Sequence, residues 1–200
     1  MGLKHEQPVS SGAPVAARAR AIRPALFYLI AVLVFIGDQL SKAWVQHALA
    51  WEQSRPIFGH VFQLTLTHNT GGAWGLLPQG NLLFIIFASI AIVALLYAYH
   101  RMPHVPLLVG TALALALGGA LGNLLDRLRY QYVVDFFHFQ VGQFQWPIFN
   151  IADSAITLGI GLLLLHFLRT AHAESDPAHH PVDSHRSLAA EEAGSHQSEA

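Results

Sequence analysis

Four apolar stretches, each long enough to cross a bilayer, constrain this chain more than any other feature. They run from Ala25 to about Val45, from Leu82 to about Tyr99, from Val105 to about Leu125 and from Ile148 to about Leu168. A hydrocarbon core of roughly 30 Å is crossed by about 20 such residues in a helix. Composition agrees, since 53% of the 200 residues are hydrophobic and 12% are charged, about half the charged share of a soluble domain. A formal net charge of −1 without any Lys/Arg stripe argues against a nucleic-acid binder. With no cysteine, a thiol nucleophile, a disulfide framework and a thiolate metal site are excluded, so any chemistry comes from Asp, His, Ser, Asn or Lys.

The expected fold is a mainly α membrane protein: four transmembrane helices with a small extracytoplasmic β-sheet on the membrane surface. Residues 1–24 are polar and small and read as a disordered N-terminal tail; residues 170–200, His-rich and acidic, read as a second one. A cleaved leader is the competing reading of the first span, because Ala48-Leu49-Ala50 mimics a cleavage site, but Asp38 and Lys42 interrupt the apolar region before it. Four spans put both termini on one side. Arg18, Arg20, Arg23, Arg101 and Arg169 gather there, which points to the cytoplasm, against Arg55, Arg127 and Arg129 on the other side. Of the two outward connections, Val61–Thr67 alternates apolar and polar residues as a half-buried strand does, and Asn69-Thr70-Gly71-Gly72 supplies turn chemistry after it. Tyr132–Phe137 is strand-like and leads through Pro147 into the last span. Trp44, Trp51, Trp74 and Trp146 cluster near the outer boundary, as interfacial aromatics do. Gly59 and Gly71-Gly72 are the expected pivots of a first outward loop, about Trp51 to Trp74, that moves to admit a substrate.

Between residues 25 and 169 the acidic residues are Asp38, Glu52, Asp126, Asp135 and Asp153, and an ionisable group at membrane depth needs a partner or a task. Asp38 and Lys42 are spaced i,i+4, so an ion pair explains both. Asp126 adjoins Arg127, and a structural pair is expected there too. Asp135 stands in an apolar run with no Lys or Arg beside it, which raises a carboxyl pKa on burial. Asp153 follows Asn150 by three residues, the spacing of an N-cap with an acid in the first helical turn. Two carboxylates within hydrogen-bond reach do not both ionise easily, and such a pair activates water for peptide hydrolysis without a nucleophilic side chain. The residues alone leave open whether Asp126 or Asp135 partners Asp153. The His-Glu-x-x-His and Gly-x-Ser-x-Gly signatures of other hydrolases are absent, and His68 and His138 read as surface or interfacial side chains. A small transporter or proton-conducting protein, with the acids as a relay, is the alternative. It needs ionisable groups spread through the membrane, and the second span has none of the acids.

Five segments occur in order: Asp38-Gln39-Leu40-Ser41-Lys42, Asn69–Gly75, Gly118–Arg127, Val133-Val134-Asp135-Phe136 and Phe149–Ser154. Together they resemble bacterial lipoprotein signal peptidase, the signal peptidase II family, over about residues 25–169. The resemblance implies an inner-membrane aspartic endopeptidase, without cofactor or metal, that removes signal peptides from prolipoproteins by cutting before a diacylglyceryl-modified cysteine. It implies Asp135 and Asp153 as the catalytic pair, and Asp38, Lys42, Asn69, Gly71, Gly119, Asn123, Asp126, Arg127, Asn150 and Ala152 as substrate-binding or supporting positions. Gly72 departs from the pattern, where Ala is usual. The expected partners are prolipoproteins and membrane lipid, with no nucleic acid, and the expected state is a monomer with both termini cytoplasmic and the active site near the outer face.

Overall fold

The computed structural model describes residues 21–71 and 80–174; Gly72, an expected pivot, and Trp74, the end of the loop expected to move, lie outside them. The chain falls into two units. The first, Met1–Leu164, holds the sheet and the helices up to Leu164; the second, Leu165–Ala200, contains the last turns of the final helix.

Among the described residues four helices are long and apolar enough to span a membrane. They are α1 (Pro24–Ala48), α2 (Asn81–Arg101), α3 (Leu107–Tyr130) and α4 (Ile151–Glu174). Each contains most of one expected span. Pro24 begins α1, where its missing N–H costs nothing. The buried positions of α1 are Phe27, Ala31, Asp38, Lys42 and Val45, one helical stripe that changes from apolar to charged halfway along. α3 is the central helix and the most buried of the four spans. It can be so because its sequence is mostly Ala, Gly and Leu: a Cβ on Gly118 would overlap Ala31 of α1, and one on Gly119 would overlap the Ala152 carbonyl of α4. α2 buries only Tyr99 among its residues, leaving an apolar surface suited to lipid. Phe27 stacks on Tyr99 at 3.7 Å between ring centroids, within a cluster that includes Val109, Leu113 and Leu117.

Ala21 and Ile22, grouped with the tail on sequence grounds, are ordered against the start of α3. Ala21 forms a bridge with Pro106, and the Ile22 N–H donates to the Val105 carbonyl at 2.9 Å. Ile22 is buried.

The sheet is antiparallel in the order β1 (Ser54–Phe58), β2 (Phe62–Asn69), β3 (Val133–Val141) and β4 (Phe144–Gln145). The expected strands are β2 and β3. β1 and β4 were not foreseen, because β1 is exposed along its whole length and carries Pro56, and β4 is two residues long. Leu64, Leu66, Val134 and Phe136 point from the sheet onto Val45 of α1 and onto Leu49 just after it. Outside the bilayer such burial draws on the hydrophobic effect, about 1.5–3 kcal/mol for each fully buried large side chain. The sheet is thereby fastened to α1, with Asn69 opposite Val133 and Thr67 opposite Asp135.

Candidate functional site

Two elements deliver the carboxylates. Asp135 comes from β3 and is 1% exposed. Just before α4, the Phe149 carbonyl accepts from the N–H groups of Phe136 and Phe137, and the Phe149 N–H donates to the Phe137 carbonyl. This pairing lays the start of α4 beside Asp135. Asn150 then caps the helix: its Oδ1 accepts from the Asp153 N–H at 2.9 Å, and the Asn150 N–H donates to Asp153 Oδ2 at 3.3 Å. The reciprocal pair is a capping box with Asp as the acid. Asn150 Nδ2 donates to Asp135 Oδ1 at 2.6 Å, so the residue that starts the helix also joins the two aspartates. The capping role and the role beside Asp135 coexist in one side chain.

Burial, and then the charge of Asp153 beside it, push the Asp135 carboxyl up to about 7. The hydrogen bonds donated by Asn69 Nδ2, 2.9 Å to Oδ2, and by Asn150 oppose that rise. Asn69 serves two partners at once, because its Oδ1 accepts from the Gly71 N–H at 3.0 Å. The turn chemistry expected at Asn69 is therefore present in its bond to Gly71, and the same side chain also reaches Asp135.

Behind the pair lies a cluster centred on Lys42. The Lys42 ammonium contacts Asp38 Oδ2 at 2.7 Å, Asp126 Oδ2 at 2.9 Å and Asn123 Oδ1 at 3.0 Å, so its three donors meet three acceptors. Each acceptor residue reaches onward. Asp38 Oδ1 accepts from the Ala152 N–H at 2.9 Å, Asp126 Oδ2 from the Val134 N–H at 3.1 Å, and Asn123 Nδ2 donates to Asp153 Oδ1 at 2.7 Å. The i,i+4 pair of Asp38 with Lys42 is present as expected. The expected pairing of Asp126 with Arg127 is not: consecutive residues on a helix point about 100° apart, and the ion partner of Asp126 is Lys42 on α1. Arg127 instead donates to the Gly71 carbonyl at 3.2 Å and packs over the Phe84 ring at 5.0 Å.

The twelve positions singled out from sequence therefore gather in one place, with Gly71 held by Arg127 and with Gly119 and Ala152 at the α3–α4 contact. Gln39 was missed. Its Nε2 donates to Asp126 Oδ1 at 2.9 Å and to the Gly122 carbonyl at 3.2 Å. Its signal was available, since an amide side chain within an apolar span needs partners much as an ionisable one does. His68 and His138 stand apart from the cluster. His68 stacks on Tyr132 at 4.0 Å, with burial pushing its imidazole pKa down, and His138 Nδ1 lies 3.0 Å from Thr65 Oγ1.

A cleft of about 630 Å³ opens onto this arrangement. Asn69, Asn123, Arg127 and Asp153 line its polar part, and Trp146 and Ile156 belong to its apolar part. Asp153 faces the cleft, whereas Asp135 is not among the residues that line it.

Four spanning helices with two aspartates joined through one asparagine describe a multi-pass membrane protein of acid–base type. The family model described as signal peptidase (SPase) II matches residues 30–169. The lipoprotein signal peptidase of Bacillus subtilis is 41% identical over 143 residues, covering 72% of this chain and 93% of the relative. That of Moorella thermoacetica is 42% identical over 145 residues, 72% and 94% of the two chains. A bacterial membrane enzyme structure determined in meso at 2.3 Å resolution superposes with a TM-score of 0.73 at 32% identity, covering 82% of this chain and 99% of that one. The chain belongs to the signal peptidase II family and is a multi-pass bacterial membrane peptidase.

Proposed function

We propose that the protein removes signal peptides from prolipoproteins whose cysteine already carries diacylglycerol, and that Asp135 and Asp153 are its catalytic pair. The observation that supports this reading most directly is the shared contact of both aspartates with the buried Asn150, with Asp153 lining the cleft. In such a pair one carboxylate takes a proton from water as the water oxygen attacks the scissile carbonyl. The partner, protonated, donates to the carbonyl oxygen, and the first then returns its proton to the leaving amine as the C–N bond breaks. Arg127 and Asn69, at the edge of the cleft, are placed to hold the peptide backbone. Asp38, Lys42, Gly71, Gly119, Asn123, Asp126, Asn150 and Ala152 support the pair.

The distribution of Arg23, Arg101 and Arg169 favours cytoplasmic termini and an active site near the outer face. Residues 25–169 form the peptidase domain, continued at one end by Ala21–Pro24 and at the other by the α4 residues up to Glu174, in a monomer of the inner membrane. The relay alternative is disfavoured because Asp38, Asp126, Asp135 and Asp153 occupy one cluster, while α2 contains no acidic residue. The test is incubation of the purified protein with a diacylglyceryl prolipoprotein. Wild type is expected to release the signal peptide, and Asp135→Asn and Asp153→Asn are each expected to lose most turnover while still inserting. Near-wild-type turnover by either variant overturns the pair.

A further inference from the structure

The arrangement around Lys42 does more than fill a polar hole. We infer that Lys42 is a positioning residue which, acting through the Asn123 amide, holds Asp153 as the ionised base of the pair and leaves the shared proton on Asp135. The inference rests on the proposed catalytic pair. Its basis is a directed chain of hydrogen bonds. Lys42 Nζ donates to Asn123 Oδ1 at 3.0 Å, which polarises the amide, and Asn123 Nδ2 donates to Asp153 Oδ1 at 2.7 Å. An amide so polarised is a stronger donor, and a stronger donor favours a charged acceptor. Asn150 Nδ2 adds a second bond to the same Asn123 oxygen at 3.1 Å, fixing which way the amide points. The geometry of access agrees. Asp153 faces the cleft where water would be deprotonated as it attacks the scissile carbonyl, and Asp135, 1% exposed, lies behind it.

Every charged group around Asp153 enters the balance. Asp135 faces it from β3, Arg127 from α3 and Lys42 from α1, while Asp38 and Asp126 are engaged by Lys42 itself. Arg127 also favours the charged form, but its nearest polar contacts are the Gly71 and Asn123 carbonyls rather than the Asp153 carboxylate. The hydrogen-bonded route into Asp153 from another element is therefore Asn123. In the cycle, Asp153 takes the water proton as the C–O bond forms, and Asp135 gives its proton to the carbonyl oxygen. Asp153 next protonates the amine as the C–N bond breaks, and Asp135 regains a proton from the collapsing diol.

The experiment compares kcat and KM as functions of pH for wild type, Lys42→Met, Asn123→Ala and the double variant, with thermal unfolding in detergent as a control. Asn123→Ala interrupts the route but leaves both ion pairs of Lys42 intact. The acid limb of the kcat profile is expected to move to higher pH by about one unit in each single variant, with KM little changed. The double variant should show no further displacement. Asp153→Asn is measured in parallel: retained turnover there defeats the catalytic pair itself, whereas an unmoved acid limb in folded Lys42→Met or Asn123→Ala defeats only the role of Lys42. Should neither variant accumulate as folded protein, the proposal is overturned in favour of a purely structural role.

Discussion

Asp135 is held where a carboxylate is expensive, and its protonation ties stability to pH. Its carboxyl is pushed up to about 7 in the fold, against about 3.9 for an unfolded Asp. Between those values the folded state binds the extra proton, so stability declines as pH rises from about 4 to about 7 and the loss persists above that range. Asp135→Asn removes the titration while keeping the shape. Thermal unfolding in detergent is therefore expected to show a wild-type midpoint that falls across this window and a variant whose midpoint changes less there and is the higher at pH 8. Equal slopes for the two would mean that Asp135 ionises without penalty. Residue identity alone carried much of this reading, because Asp135 sits among Val133, Val134, Phe136 and Phe137 with no basic neighbour. It failed for Asp126. Adjacency in sequence suggested Arg127, while the true partner, Lys42, lies on a different helix, and no local pattern reports which α1 side chain a helix far along the chain will meet.

Helices and strands were legible to different degrees for a physical reason. A span must bury about 20 apolar residues, which leaves a long signal, and all four were readable. β2 was readable through its alternation, but β1 and β4 bury little and so carry no pattern. The closeness of α3 to its neighbours was visible only as a richness in Gly and Ala. Its consequence is specific: a Cβ on Gly122 would overlap Asp38 Oδ2, whereas a Cβ on Gly37 would meet nothing within 4 Å. Gly122→Ala is therefore expected to displace the carboxylate that holds the Ala152 N–H, lowering both the unfolding temperature and cleavage. Gly37→Ala, in the interior of α1, should be neutral or stabilise by up to about 1 kcal/mol. Comparable losses in the two variants would argue against this close approach.

At the scale of the whole molecule, the site lies where a helical bundle meets a surface sheet, and the substrate must satisfy both surroundings. The apolar part of the cleft, with Trp146, Ile156 and Leu158, continues from Asp153 along α4. Each acyl CH₂ removed from water contributes about 0.8 kcal/mol, and two chains supply many. Cleavage is thus expected to depend on prior lipid modification, with the lipid-free prolipoprotein cut at least tenfold more slowly at equal concentration. Equal rates would show that the peptide alone is recognised.

The cap that begins α4 has a consequence in time. Asn150 completes the helix and joins the two aspartates in the same set of bonds, and Asp38 and Asn123 wait on earlier spans for Ala152 and Asp153 to arrive. Chains emerge from the ribosome in order. A nascent copy with three spans inserted therefore carries Asp135 without Asp153, and the proposed pair is complete only once the chain's own final span has entered the bilayer.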